Sequence, residues 1–355
     1  MEFDEVGGWP GILATLAARR DLAAAQARAA MAEILEGAAT PAQIAGFIVA
    51  LRMKGETVDE LGGLVDAMLA AAERVTLPPG EPGDPGVVDV VGTGGDRAHT
   101  INVSTLAALV VAGGGGRVCK HGNRAASSAT GSADLLEALG VRIDCGPGEV
   151  ARCVAEAGIG FCFATRFHPA MRHAGPPRRE LGIATSFNFL GPLANPAGVR
   201  RFMIGVADPS MAERMVGVLA ARGSERVLVV HGGDGLDELT ITTTSQVIEL
   251  RDGEVRDYEV DPKELGITPA PAEALVGGDP ATNAELTRRI LAGEAGPHRD
   301  IVCLNAGAGM VAAGMVDDLA DGVEAARSAI DDGGAAAALD RLVAVSNAPP
   351  PLGVD

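Results

Sequence analysis

The stretch from Val87 to Gly140 most constrains how this chain can fold. It opens with a valine-rich strand, continues through a glycine turn, and enters a helix begun by Asn102 or Ser104. A second strand is predicted around residues 117–121, and a polar loop then leads to a helix capped by Ser132. A strand, a glycine turn and a helix N-terminus together direct free backbone N–H groups and a positive helix dipole at one point. The stretch therefore predicts a cradle for an anion.

The charge distribution supports that cradle. Between residues 97 and 133 there are four cations and no acid, although the chain has a formal net charge of −18. Aromatic residues make up only 3% of the chain, so the stacking platforms and the basic face of a nucleic-acid binder are missing. We therefore expect a small polyanionic ligand, no nucleic acid, and a local cationic site formed with the help of Arg97, Arg117, Lys120 and Arg124.

Residues 1–76 are predicted to form a small all-helical domain. Helices are expected over 10–18, 21–36, 41–53 and 58–74, because Thr40-Pro41 and the pair Thr57/Glu60 are typical helix starts. The apolar residues of this unit exceed what four short helices can bury, which favours a homodimer contact. Residues 77–86 contain four prolines and three glycines and are predicted to be a linker.

Residues 87–355 alternate between strand and helix patterns. This alternation predicts an α/β fold with a mostly parallel central sheet flanked by helices. The β-rich segment 240–260, with its Asp252-Gly253 turn, is expected to add antiparallel edge strands. Helices should follow around 280–292, 299–314, 319–331 and 335–346.

The cysteines and the N-terminus favour a cytoplasmic location. Five cysteines, an odd number without a CxxC pair, indicate reduced thiols and neither a disulfide framework nor a zinc site. The first ten residues are acidic and polar, unlike a signal peptide, and no apolar run has the length of a membrane span, so no membrane partner is expected.

Four motifs carry the candidate chemistry. GTGGD (92–96), with the polar helix start at 102–105, suits a diphosphate, although a simple tight turn gives a similar pattern. KHGNRAASS (120–128) offers phosphate ligands, or alternatively forms a solvated loop. The basic segment 163–181 suits a carboxylate, since an arginine fork is its natural ligand. Asp237 and Glu238 in HGGDGLDEL (231–239) suit magnesium, with a plain acidic turn as the alternative.

Taken in order, these motifs resemble those of the anthranilate phosphoribosyltransferases of the tryptophan pathway. GTGGD, NVST, KHGNRAASS with GSAD, HPAMR…RREL, FNFLGPLANP and DGLDE all occur in the order of that family, over roughly residues 20–345. The resemblance implies a small helical domain, to which segments near 165–190 return, and a larger α/β domain, usually in a homodimer. It also implies a magnesium-dependent glycosyl transfer in the cleft between the domains, with two substrates: phosphoribosyl pyrophosphate and anthranilate.

The resemblance also assigns residues. Those implied for phosphoribosyl pyrophosphate are Gly92, Gly95, Asp96, Thr100, Asn102, Val103, Ser104, Thr105, Lys120, Ser128 and Ser132. Those implied for anthranilate are Gly92, His121, Asn123, Met171 and Arg178, with Arg178 on the carboxylate. Ser104, Asp237 and Glu238 are implied for magnesium, in a site of two ions shared with the donor, and Lys120, Asn123 and Arg178 for catalysis.

Three positions depart from the family pattern, and two other functions stay open. Arg97 stands where the family usually has glycine, Thr165 replaces a common proline, and Phe202 stands where glutamine is frequent. A pyrimidine nucleoside phosphorylase shares the implied fold and a similar glycine turn, but usually carries an extra C-terminal domain. A non-catalytic paralogue that binds nucleic acid would need a basic surface, which the net charge of −18 disfavours.

Overall fold

The computed structural model describes residues 3–80, 86–125 and 129–349, so half of the predicted linker, residues 81–85, lies outside the described ranges. The N-terminal part is helical, as predicted. Thr40 and Thr57 cap their helices by accepting the backbone N–H groups of Gln43 and Glu60, which confirms both predicted helix starts. The helices are α1 (Gly8–Ala17), α2 (Ala24–Glu36), α3 (Pro41–Lys54) and α4 (Val58–Ala70).

The larger domain is built on one seven-stranded sheet in the order β3-β2-β1-β4-β5-β6-β7. The first five strands of that order are parallel, and the last two pair antiparallel at one edge, as the segment 240–260 predicts. Asp252 (φ 54°) and Gly253 (φ 82°) turn the chain between the last two strands. The strands are β1 (Val87–Gly92), β2 (Arg117–Gly122), β3 (Ile159–Phe163), β4 (Arg201–Gly205), β5 (Arg226–Gly232), β6 (Ser245–Arg251) and β7 (Glu254–Val260).

Helices cover both faces of the sheet, so the predicted fold class is confirmed. One face contributes Val88, Val90 and Met203 to a core shared with the long helices that follow the first and last strands. The helices of this domain are α5 (Val103–Gly113), α6 (Ser132–Ala138), α7 (Pro147–Ala157), α8 (Ala164–Phe167), α9 (Gly175–Leu181), α10 (Phe187–Leu193), α11 (Ala212–Ala221), α12 (Pro280–Leu291), α13 (Pro297–Ala313), α14 (Leu319–Asp331) and α15 (Gly334–Asn347).

The second core joins the two domains. Phe47 of α3 and Leu64 of α4 belong to the same buried cluster as Phe202 and Ile204 of β4. Phe189 from the returning segment lies in that cluster as well. The apolar surplus of the N-terminal helices is therefore buried largely against the sheet of the same chain, so it no longer argues for a homodimer.

The start of α6 differs from the prediction. Gly131, not Ser132, is the N-cap, and Ser132 is the first helical residue. The carboxylate of Asp134, the third helical residue, accepts the backbone N–H groups of Gly131 and Ala125, at 3.0 and 2.9 Å, and so ties the N-cap and the preceding loop to the first turn. The Ser132 hydroxyl instead donates to the carbonyl of Asn123, which fixes the end of the preceding loop.

The strand order places the functional edge of the sheet. From β1 the chain moves outward to β2 and β3, then returns to the other side of β1 for β4 and β5. In open α/β sheets, ligands bind at the carboxyl ends of the strands where the order reverses. That edge carries the turn after Gly92, the loop after Gly122 and the loop after Gly232.

Candidate active site

A cleft of about 620 Å³ lies at this edge, between the two domains. It is lined by Met68 of the helical domain, by the glycine turn, and by parts of the returning segment. All of the predicted site residues within the described parts of the chain line it: Gly92, Gly95, Asp96, Thr100, Asn102, Val103, Ser104, Thr105, Lys120, His121, Asn123, Ser132, Met171, Arg178, Asp237 and Glu238. Ser128 lies outside the described residues.

The glycine turn is tied to the acidic loop that follows β5. Gly94 (φ 67°) and Gly95 (φ 90°) adopt left-handed conformations that favour glycine. The N–H of Gly94 donates to Oδ2 of Asp237 at 2.7 Å. A Cβ on Gly92 would also overlap that carboxylate, so only glycine allows the turn to approach it this closely.

The N-terminus of α5 meets the second carboxylate of the same loop. The N–H of Ser104 donates to Oε1 of Glu238 at 3.2 Å, which places an acid at the positive end of a helix. Asn102 is the N-cap, as one of the two predicted alternatives, but its side-chain amide donates to the carbonyl of Thr130. The hydroxyl of Thr105 is buried without a hydrogen-bond partner among the described residues.

Asp237 and Glu238 form a site with excess negative charge. Burial raises the pKa of Asp237 well above its usual value, and the charges of Glu238 and Asp96 raise it further. Burial raises the pKa of Glu238 to about 8, while Lys120 opposes the shift. Oε2 of Glu238 is buried and has no hydrogen-bond partner in the described chain. Two adjacent buried carboxylates, one with an unused oxygen, form a donor set suited to a hard dication.

Lys120 sits beneath these acids, in the core of the sheet. Its ammonium group donates to the carbonyl of Val90 at 2.6 Å and to the hydroxyl of Ser104 at 3.3 Å. Burial lowers its pKa, while the negative charges of Asp89 and Glu238 raise it. Burial in turn raises the pKa of Asp89 to about 6. Lys120 is therefore surrounded by carboxylates, and its link to the cleft is chiefly its hydrogen bond to the hydroxyl of Ser104.

Asp89 and Asn195 do not line the cleft but support it from behind, and they are absent from the sequence prediction. Asp89 accepts the backbone N–H of His121 at 3.0 Å and the side-chain amide of Asn195 at 2.8 Å. Asn195 also donates to the carbonyl of Cys119, so the pair ties β1, β2 and the FNFLGPLANP segment together. A carboxylate in the middle of a valine-rich strand was the available signal, because a buried charge needs a partner.

His121 and Asn123 follow β2 and enter the cleft. Burial lowers the pKa of His121 to about 3, so the imidazole is neutral at pH 7. Its Nδ1 lies 2.9 Å from the carbonyl of Gly191 and must carry the proton, which leaves Nε2 as a buried acceptor with no partner in the described residues. Oδ1 of Asn123 accepts the N–H of Arg124 at 2.8 Å and lies 3.4 Å from the hydroxyl of Thr165, one of the departures from the family pattern.

Two of the four cations expected at the cradle provide no free positive charge there. Arg124 forms ion pairs with Asp134 and Glu137 of α6, so its charge is neutralised although it lines the cleft. Arg117 begins β2, at the opposite edge of the sheet, and donates to the carbonyl of Pro78. A count of charges along the sequence could not reveal either arrangement, because both depend on which strand end and which helix each residue meets.

The basic segment divides in a similar way. Arg178 lines the cleft, is partly buried, and stacks over Phe187 at 5.7 Å from the ring centre. Burial lowers its pKa, and no carboxylate in the described residues pairs with it. Arg166 instead pairs with Glu73 of the inter-domain connection. A partly buried guanidinium without an acid is a ready site for a ligand carboxylate.

Comparison with known proteins gives one consistent result. Residues 84–336 match the model of the glycosyl transferase family a/b domain, and residues 10–72 match that of its helical bundle domain. The anthranilate phosphoribosyltransferase of Nocardioides sp. is 55% identical over 95% of this chain and 98% of its own. The anthranilate phosphoribosyltransferase of Rhizobium meliloti is 51% identical over 95% of this chain and 98% of its own.

Solved structures agree with these relatives. Anthranilate phosphoribosyltransferase from Thermus thermophilus superposes with a TM-score of 0.89 at 44% identity, covering 95% of this chain and 99% of that chain. The enzyme from Saccharomyces cerevisiae, in complex with PRPP and Mg, superposes with a TM-score of 0.85 at 25% identity, covering 95% and 97% of the two chains.

Proposed function

This chain is a member of the anthranilate phosphoribosyltransferase family, and we propose how its cleft carries out the reaction of that family. The 5-phosphoribosyl group of phosphoribosyl pyrophosphate passes to the amine of anthranilate, giving N-(5-phosphoribosyl)anthranilate and pyrophosphate. One observation carries the assignment: an anion cradle with paired carboxylates faces an unpaired, partly buried guanidinium, that of Arg178, across one cleft of the described chain. The cradle suits the diphosphate donor, and Arg178 suits the carboxylate of the acceptor.

The donor is proposed to bind along the glycine turn and the start of α5. Gly95 and Asp96 supply the turn, and the backbone at Val103, Ser104 and Thr105 supplies N–H groups at the helix N-terminus. The remaining proposed contacts come from side chains or backbone that line the same wall: Gly92, Thr100, Asn102, Lys120 and Ser132.

Magnesium is proposed to accompany the donor at Asp237, Glu238 and Ser104, as two ions. Oε2 of Glu238 has no hydrogen-bond partner in the described chain, and the pKa values of both acids are raised. Both observations support a pair of carboxylate ligands that fits a dication. The described residues contain no cluster of three His, Cys, Asp or Glu side chains placed to hold a metal. Oxygen atoms of phosphoribosyl pyrophosphate are therefore expected to complete the coordination. When bound, magnesium would neutralise charge that develops on the diphosphate as it leaves.

Anthranilate is proposed to bind on the other wall. Arg178 holds the carboxylate, Asn123 and the neutral His121 face the amine side of the ring, and Met171 supplies an apolar contact. The Oδ1 atom of Asn123 is already engaged by Arg124, so its amide N–H groups are the part free to reach a ligand.

The transfer needs alignment more than proton abstraction. The amine of anthranilate is neutral at pH 7 and attacks C1 of the ribose as pyrophosphate leaves, with inversion and a transition state of oxocarbenium character. The protonated nitrogen that forms then releases its proton to the departing pyrophosphate or to water. Arg178 and Asn123 align the acceptor, and Lys120 holds Ser104 and the buried acids in place. A pKa of about 3 for His121 makes it a poor base, and its role is to accept a hydrogen bond.

The test is a comparison of two reactions with one purified preparation. Chromatography with mass detection should find N-(5-phosphoribosyl)anthranilate after incubation with anthranilate, phosphoribosyl pyrophosphate and Mg²⁺. A parallel incubation with thymidine or uridine and inorganic phosphate should release no free base. Free base without the anthranilate product would assign the cleft to pyrimidine nucleoside phosphorolysis instead.

We propose that the protein forms a homodimer and works in the cytoplasm. We infer a homodimer through the helical domain, the assembly that the family resemblance implies, with Met53 of α3, 69% exposed, as the residue with which to test it. Light scattering should give twice the chain mass, and Met53→Glu should lower it. The five free cysteines support a location in the reducing cytoplasm. No helix within the described ranges has the length and apolar character needed to span a bilayer.

A further inference from the structure

Arg97 occupies a backbone conformation that costs energy for any residue with a Cβ atom. Its φ is 61°, and two residues later His99 has φ 54°, so two non-glycine residues of one short loop are left-handed. The loop is fixed on both sides of Arg97. Ala98 donates its N–H to Oδ1 of Asp96, and the carbonyl of His99 accepts the N–H of Gly277. Strain that the surrounding structure holds in place beside a cleft is a common mark of function.

No side-chain contact of Arg97 with the described protein offsets the cost of this backbone conformation. The side chain lines the cleft and is exposed, and no ion pair or hydrogen bond joins its guanidinium to a described residue. Among the described residues Arg97 therefore keeps an unpaired positive charge at the cleft, in a chain with 47 acids for 29 basic residues. Arg124, on the neighbouring loop, is paired by contrast, because two carboxylates of α6 neutralise its charge.

The position of Arg97 complements the ligand. Between Gly92 and Thr105 it is the only lysine or arginine of the proposed donor wall. Lys120, the other cation of that wall, is surrounded by Asp89, Asp237 and Glu238. A donor with several phosphate charges would therefore meet more carboxylates than free cations on this wall if Arg97 were absent. An arginine can reach out from the loop and grip a phosphate with two parallel hydrogen bonds.

We propose that Arg97 binds a phosphate group of the phosphoribosyl donor and thereby sets much of the donor affinity of this enzyme. This inference rests on the proposed function, because it takes phosphoribosyl pyrophosphate as the ligand of the cradle. The contact is expected to act on binding of the donor and not on the acceptor, for which Arg178 and Asn123 are the proposed ligands.

The test compares four proteins by calorimetric titration with magnesium and phosphoribosyl pyrophosphate: wild type, Arg97→Gly, Arg97→Asn and Arg19→Gly. Glycine and asparagine both tolerate a positive φ, so each removes the charge without adding strain. Arg19 is the matched control, an exposed arginine with φ 54° in the turn between α1 and α2. All three substitutions should raise the thermal midpoint of the ligand-free protein, or leave it unchanged for asparagine.

The two Arg97 variants should bind the donor about tenfold more weakly, which corresponds to ~1.4 kcal/mol. Their KM for anthranilate should stay within about twofold of wild type, and Arg19→Gly should leave both constants unchanged. Donor affinity should also fall less steeply with salt in Arg97→Gly, because one phosphate contact is gone.

Three results would overturn the proposal. Equal donor affinity in wild type and Arg97→Gly would show that the guanidinium makes no contact. Wild-type affinity in Arg97→Asn alone would show that the shape of the loop, and not the charge, matters. Absence of donor binding by the wild-type protein would overturn the proposed function and this assignment with it, which distinguishes that failure from the first two.

Discussion

Replacing Arg178 by alanine should damage acceptor binding selectively. The guanidinium is partly buried, has no acid partner in the described chain, and stacks on Phe187, so it is partly dehydrated and oriented before a ligand arrives. A charge-assisted, two-bond contact with a carboxylate under such conditions is worth about 2 to 3 kcal/mol. Since ~1.4 kcal/mol is a factor of ten, KM for anthranilate should rise about 30- to 140-fold.

The assay should separate the contribution of the carboxylate to acceptor binding from that of the rest of the acceptor. Initial rates are measured with anthranilate and with aniline, which carries the amine but no carboxylate, at saturating phosphoribosyl pyrophosphate. Wild type should prefer anthranilate strongly in kcat/KM, and Arg178→Ala should lose most of that preference while KM for the donor changes less than about twofold. Arg178→Lys keeps the charge but not the fork and should lie between the two.

Two results would refute this reasoning. One is an equal rise in KM for donor and acceptor, which would indicate a general collapse of the cleft. The other is a preference for anthranilate over aniline that survives in Arg178→Ala, which would mean that another group holds the carboxylate. Circular dichroism and thermal melting of each variant control for loss of the fold.

Three further predictions follow from the acidic loop and from His121. Asp237→Asn combined with Glu238→Gln should abolish turnover at any Mg²⁺ concentration, and a magnesium titration that matches wild type would reject their metal role. Gly205→Ala should lower the thermal midpoint and weaken magnesium activation, because a Cβ there would overlap the backbone of Asp237; an unchanged protein would contradict the close packing of β4 on that loop. The pKa of His121 is lowered from 6.5 to about 3, so its contribution to stability is present above pH 6.5 and is lost as pH falls toward 3. Between pH 6.5 and 5 the loss should reach at most about 2 kcal/mol, and His121→Asn should flatten that part of a denaturation-against-pH curve; an unchanged slope would contradict a neutral buried imidazole.

The elements of the fold were predictable because their signals are local. Thr40 and Thr57 mark helix starts through contacts three residues away, and the Asp252-Gly253 turn carries its own backbone preference. Ser132 was wrongly predicted as a cap because a serine at the first helical position and a serine at the cap look alike in the sequence, and only the extended backbone of Gly131 identifies the cap.

The site was predictable as a set of motifs but not as an arrangement of charge. The family resemblance assigned Asp237, Arg178 and the glycine turn, and these residues do line one cleft. It could not reveal that Arg124 is engaged by α6, or that Lys120 is embedded among carboxylates. Both facts depend on contacts between elements far apart in the chain. For the same reason the helical domain looked too apolar to stand alone, until the sheet face that covers it was known.

The central claim is that one cleft joins anthranilate to the phosphoribosyl group, and the loss of anthranilate fluorescence tests it most directly. Purified protein, phosphoribosyl pyrophosphate and Mg²⁺ are added to anthranilate, and each of the three is omitted in turn. We predict that fluorescence falls only when all three are present, with release of one pyrophosphate for each anthranilate consumed. Stable fluorescence in the complete mixture, with a protein that is folded by circular dichroism, would contradict the account.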